Sequence, residues 1–88
     1  MTKDAKQVWN AVDQVINQVL KDSGRDVRTL KDHDGLREVI GLDSLDLAVM
    51  VVGLEQTLQI DPFRDGAEPV ATVGELVDLY QRSLANDR

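Results

Sequence analysis

Apolar residues in this chain recur at three- and four-residue steps and nowhere alternate singly with polar ones, which confines the fold to helices. Val8, Val12, Val15 and Val19, with Trp9, Ile16 and Leu20 beside them, form one stripe; Thr2 is placed to cap it and Ser23-Gly24 to stop it. A second run, Leu45 to Leu58, opens at Asp43 or Ser44, where Asp43 accepts from the first-turn N–H groups and Asp46 adds charge that the helix dipole favours. Asp61-Pro62 marks its expected end. Thr72-Val73-Gly74-Glu75 fits a capping box ahead of a last stripe, Val73, Leu76, Val77, Tyr80 and Leu84. Between these lie two weaker stretches. Residues 21–41 read as an ordered loop pinned by Leu30 and Leu36, with Val27, Val39 and Ile40 as further anchors and a short turn near Leu36. Phe63 to Val70, interrupted by Gly66 and Pro69, allows one or two helical turns. The expected architecture is all-α, a small four-helix bundle with a long first loop and a short third helix, formed by residues 1–88 as a single domain.

The second run is apolar over more of its circumference than a helix on a monomer's surface needs. Leu47, Val51, Leu54 and Leu58 share one face and suit a core. Leu45, Ala48, Val49 and Val52 fall to one side of it and lack an assignment there.

A chain of 88 residues buries only about 60–65 % of the surface its unfolded form exposes, so deep clefts come at the expense of the core. Smallness thus favours carrying or binding over self-contained catalysis. The absence of cysteine excludes disulfides and thiolate metal sites. The polar Met1-Thr2-Lys3-Asp4 start gives no signal-peptide pattern, and no apolar run approaches the roughly 20 residues that span a membrane, so the expected address is cytoplasmic. Residues 1–42 hold seven acids and seven bases, whereas residues 43–88 hold nine acids against Arg64, Arg82 and Arg88. The net charge of −6 therefore lies in the second half. Such a field repels nucleic acid and anionic membranes and steers basic protein surfaces toward it, besides keeping the chain soluble.

Gly41-Leu42-Asp43-Ser44-Leu45-Asp46 sets a serine hydroxyl at a helix N-terminus between two carboxylates. Ser44 can share capping with Asp43. The same position also suits a phosphate, which free N–H groups and the dipole stabilise, although the flanking acids oppose it. The chemistry of the segment leaves both uses open.

The run Leu36-Arg37-Glu38-Val39-Ile40-Gly41-Leu42-Asp43-Ser44-Leu45-Asp46, followed by a long helix ending Leu54-Glu55-Gln56-Thr57-Leu58, closely resembles the acyl carrier protein family. That family's signature is Asp-Ser-Leu after a glycine-containing turn, and the likeness covers nearly the whole chain. The resemblance implies a non-enzymatic carrier with 4′-phosphopantetheine attached covalently to Ser44 by a phosphopantetheinyl transferase, its thiol holding acyl thioesters. It implies a monomer serving an acyl-loading ligase or transferase and condensing enzymes of fatty-acid, polyketide or related biosynthesis. Asp43, Asp46 and Glu55 match the family's acidic partner-binding positions, and Leu45, Ala48 and Val52 its apolar patch, with Val49 among them. An interior lined by Leu54, Leu58, Val70 and Leu76 would shelter part of an acyl chain. Val49, Gln56 and Arg64 stand where general fatty-acid carriers have acids, Pro69 interrupts the short helix, and Val39-Ile40 replaces Asp-Leu. These departures favour a dedicated pathway.

A peptidyl or aminoacyl carrier is the nearest alternative, and an unmodified acidic interaction module is the alternative from another class. His33 in its charged loop reads as a solvated side chain. Asp32-His33-Asp34-Gly35 lacks the further ligands of a calcium loop, and no metal site is expected. Ser44 lacks the G-x-S-x-G elbow of a hydrolase.

Overall fold

Each of the three apolar stripes folds as a helix in the computed structural model, which describes residues 5–86. They are α1 (Ala5–Asp22), α2 (Ser44–Leu58) and α3 (Val73–Asn86). The proposed cap Thr2 lies outside the described residues. Helix α1 packs against both α2 and α3 and is the centre of the core. It buries Val8, Ala11, Val12, Ile16, Val19 and Leu20. The two helices come close at Gly53 of α2, where a Cβ would stand 2.9 Å from Val15 Cγ1. Helix α1 ends as expected: Gly24 takes φ 80, and Arg25 N–H reaches back to the Leu20 carbonyl at 2.8 Å.

Helix α2 buries Met50, Leu54 and Leu58, with Leu47 and Val51 partly covered. It stops at Leu58, before the expected Asp61-Pro62 boundary. Gln59 turns left-handed at φ 66; its N–H donates to Glu55 O and its side chain to Gln56 O, which satisfies carbonyls that another helical turn would have used.

The expected short third helix does not form among the described residues. Residues 62–66 form a turn closed by Ala67 N–H to the Pro62 carbonyl, and 67–70 are irregular. Gly66 sits at φ 102, outside the helical region, and Pro69 disfavours helix at the residue before it. Too few residues remain between these breaks to repay helix nucleation. Among the described residues the fold is therefore all-helical with three helices, where four were expected.

The long first loop is ordered. Leu30, Leu36, Ile40 and Leu42 are buried, whereas Val27 and Val39 are exposed and anchor nothing. The expected turn follows Gly35, with the N–H groups of Val39 and Ile40 on its carbonyl. The loop also runs antiparallel to the approach to α3: Leu36 N–H donates to Ala71 O, Val73 N–H to Asp34 O and Gly74 N–H to Asp32 O. Buried Asp34 holds its own corner by accepting from Lys31 N–H at 2.9 Å. The capping box before α3 forms: Glu75 N–H meets Thr72 Oγ1, and Glu75 Oε1 accepts from Thr72 and Ala71.

Candidate functional site

Leu42 is buried and its N–H donates to Leu36 O at 2.9 Å, so the chain is fixed two residues before α2 begins. Gly41, at φ 85, supplies the turn that points Leu42 inward. Asp43 is the N-cap in extended backbone, φ −93 and ψ −176. Its Oδ1 accepts from Asp46 N–H at 2.8 Å, and its own N–H donates to Asp46 Oδ2 at 3.0 Å. Two acids thereby form a reciprocal capping box, and Leu47 N–H closes the first helical bond on Asp43 O.

The capping box forms without Ser44. Its side chain is exposed, and its hydroxyl has no hydrogen-bond partner among the described residues. The N–H groups of Ser44 and Leu45, the first two of the helix, likewise meet no protein acceptor. An exposed hydroxyl beside two free donors at the positive end of a 15-residue helix fits a phosphate-linked substituent.

The opposition expected from flanking carboxylates is partly removed by Arg25. Its Nη2 pairs with Asp46 Oδ2 at 2.7 Å, Nη1 donates to the Gly41 carbonyl at 3.0 Å, and Nε to Ser23 Oγ at 2.8 Å. One guanidinium thus joins the end of α1, the glycine turn and the first turn of α2. The Asp43 N–H, and after it Arg25, hold the Asp46 carboxyl below the usual range. Arg28 adds a second tie, Nη1 to Val39 O at 3.1 Å, while its backbone exchanges hydrogen bonds with the Asn17 side chain.

The sequence-predicted surface residues gather on the outer side of α2. Leu45, Val49 and Val52 are 71, 50 and 53 % exposed, and Ala48 is exposed beside them. Their lack of a place in the core is thereby explained. Glu55 lies at the edge with Arg64 Nη2 3.7 Å away, and Arg64 Nε is 3.8 Å from Asp61. Arg25 and Arg28 were missed by sequence reasoning. Arg25 meets its carboxylate 21 positions away, a separation that periodicity does not register.

An apolar cleft of about 140 Å³ opens beside α2, lined by Leu36, Leu47, Met50, Val51, Phe63, Pro69 and Val70. Of the residues expected to line an acyl shelter, Val70 does so; Leu54, Leu58 and Leu76 are packed in the core. His33 is exposed, and no metal-holding cluster of His, Cys, Asp or Glu occurs among the described residues. Nor is any described helix long and apolar enough to cross a membrane.

The family described as "Phosphopantetheine attachment site" matches residues 11–80. An acyl carrier protein of Saccharopolyspora erythraea is 30 % identical over 76 residues, covering 86 % of this chain and 77 % of its own. One from an Exiguobacterium species is 31 % identical over 84 residues, covering 96 % of this chain and all of its own. No solved structure matches at the same stringency. The chain belongs to the acyl carrier protein family, whose members carry 4′-phosphopantetheine.

Proposed function

We propose that residues 1–88 act as one monomeric carrier domain and that Ser44 is the phosphopantetheine attachment point. The observation that carries this reading is the hydroxyl of Ser44, exposed and unengaged, at the start of α2 while Asp43 does the capping. In the attachment step Ser44 Oγ forms a bond to the phosphorus next to pantetheine in coenzyme A. The phosphoanhydride bond breaks, adenosine 3′,5′-bisphosphate leaves, and the serine proton passes to the transferase. The product phosphodiester lies in the field of the Ser44 and Leu45 N–H groups, with Asp46 neutralised by Arg25. Once bound, the arm supplies a thiol for acyl thioesters; the chain presents it and catalyses nothing itself.

Asp43, Leu45, Asp46, Ala48, Val49, Val52 and Glu55 form the surface offered to the transferase, to a loading ligase or transferase, and to condensing enzymes. Uncharged residues where general fatty-acid carriers have acids, at Val49 and Gln56, support service to a dedicated pathway. The cleft beside α2 shelters the first few carbons of an apolar cargo. The test is loading: holo protein incubated with a broad-range acyl–carrier ligase, a fatty acid and ATP should take up label that hydroxylamine releases. Label resistant to hydroxylamine, or none on protein already shown to bear the arm, would remove the acyl-carrier role.

A further inference from the structure

The outward pole of α2 is apolar where a soluble helix usually puts charge. Leu45, Val49 and Val52 stand four and three residues apart with Ala48 between them, so they form one apolar strip along the solvent side, and the uncharged Gln56 continues it four residues on. The strip starts beside Ser44. Three acids rim it, Asp43, Asp46 and Glu55; Arg25 pairs with Asp46, and Arg64 is shared between Glu55 and Asp61. At the Debye distance over which a partner is steered, about 8–10 Å, such pairs act as dipoles and their fields largely cancel. Asp43 is the one rim acid without a basic partner among the described residues.

We infer that this face takes enzymes whose docking surface is itself apolar, and that Arg25 and Arg64 set the choice by offsetting Asp46 and part of the charge of Glu55 and Asp61. The inference rests on the carrier reading and adds to it the chemistry of the partner. A strongly basic enzyme face would leave its cations opposite valines and a leucine, desolvated and unpaired, which disfavours it. An apolar face loses nothing of that kind and gains contact area at Leu45, Val49 and Val52. Arg64 is the cleaner of the two arginines to test, because it is exposed and ties no two elements of the core, whereas Arg25 also holds the Gly41 turn.

The experiment follows Ser44 modification by a broad-range phosphopantetheinyl transferase with coenzyme A, across a salt series, on variants first confirmed to melt as the parent does. For the parent chain, kcat/KM should change by less than about two-fold between low and high salt. Val49→Ser and Val52→Ser should each raise KM several-fold at every salt concentration. Arg64→Glu should leave kcat/KM within about two-fold of the parent at every salt concentration, because an apolar enzyme face offers the freed acids no cation, whereas a basic face would respond with a steep salt dependence. A steep salt dependence already present in the parent, or KM values unmoved by the serine variants, overturns the inference while leaving the carrier role intact. A dimer by sedimentation that Val49→Ser dissolves assigns the strip to a second copy of the chain and also overturns it. Absence of any adduct on the parent removes the carrier reading itself.

Discussion

At the scale of single residues, Asp46 makes three interactions with two neighbours: it accepts from Asp43 N–H, donates its own N–H to Asp43 Oδ1, and pairs with Arg25. Because its folded pKa is depressed, the stabilisation is complete above the ordinary carboxylate value of about 3.9 and is lost as pH falls through the lower folded value. Asp46→Asn should therefore flatten the loss of thermal stability on acidification below about pH 4, since the amide oxygen still accepts from Asp43. An acid limb as steep as the parent's would assign it to other carboxylates. Tyr80 is the opposite case. Its ring is fully buried edge-on to Phe63 at 6.2 Å, but its hydroxyl has no partner among the described residues. Burial, and then the charges of Asp61 and Glu55, push its pKa up. The folded state thus favours the protonated form, and that contribution fades as pH rises past the unfolded value of about 10. Tyr80→Phe removes an unsatisfied buried group and should raise stability by about 1 kcal/mol while blunting alkaline unfolding above pH ~10. A loss of 1 kcal/mol or more on denaturant melts would mean that the hydroxyl has a partner after all.

At the scale of elements, Gly53 shows packing overriding propensity. Alanine in a helix interior is favoured over glycine by about 1 kcal/mol. Here its Cβ would stand 2.9 Å from a γ-methyl of Val15, a β-branched side chain with little freedom to turn aside. Gly53→Ala should therefore destabilise by about 1–2 kcal/mol, and adding Val15→Ala should return part of that loss. A single substitution that raises the melting midpoint would place α1 and α2 further apart than described. The three helices were legible in the sequence because each has a repeated apolar stripe and a local cap, Asp43 with Asp46 and Thr72 with Glu75 among them. Two features escaped for physical reasons. The stub at 63–70 had apolar residues at tolerable spacing, but Gly66 sits outside the helical region and Pro69 disfavours helix at the residue before it. The end of α2 turned on Gln59 adopting a left-handed conformation, which glycine would have announced and glutamine did not.

For the molecule as a whole, the acidic surplus of the second half gave a correct count and an incomplete picture. Folding brings Arg25 from the balanced first half onto Asp46, so the region around Ser44 is less negative than the sequence order implies. Likewise, Ser44 was legible as a candidate from its position, but its freedom from capping was not, since Asp43 and Ser44 compete for that role on equal terms in a sequence. Helix α1 as the shared centre, the loop zipped to the approach to α3, and the Arg25 tie together hold one exposed hydroxyl at the start of α2. The most direct test is the intact mass, with fragment mapping, of the parent and Ser44→Ala after incubation with coenzyme A and a broad-range transferase. The parent should gain one phosphopantetheine, mapped to Ser44. Ser44→Ala should melt within about 1 kcal/mol of the parent, since Asp43 still caps α2, and gain nothing. An adduct that persists in the alanine variant, or that maps to Ser23 or Ser83, would contradict the account.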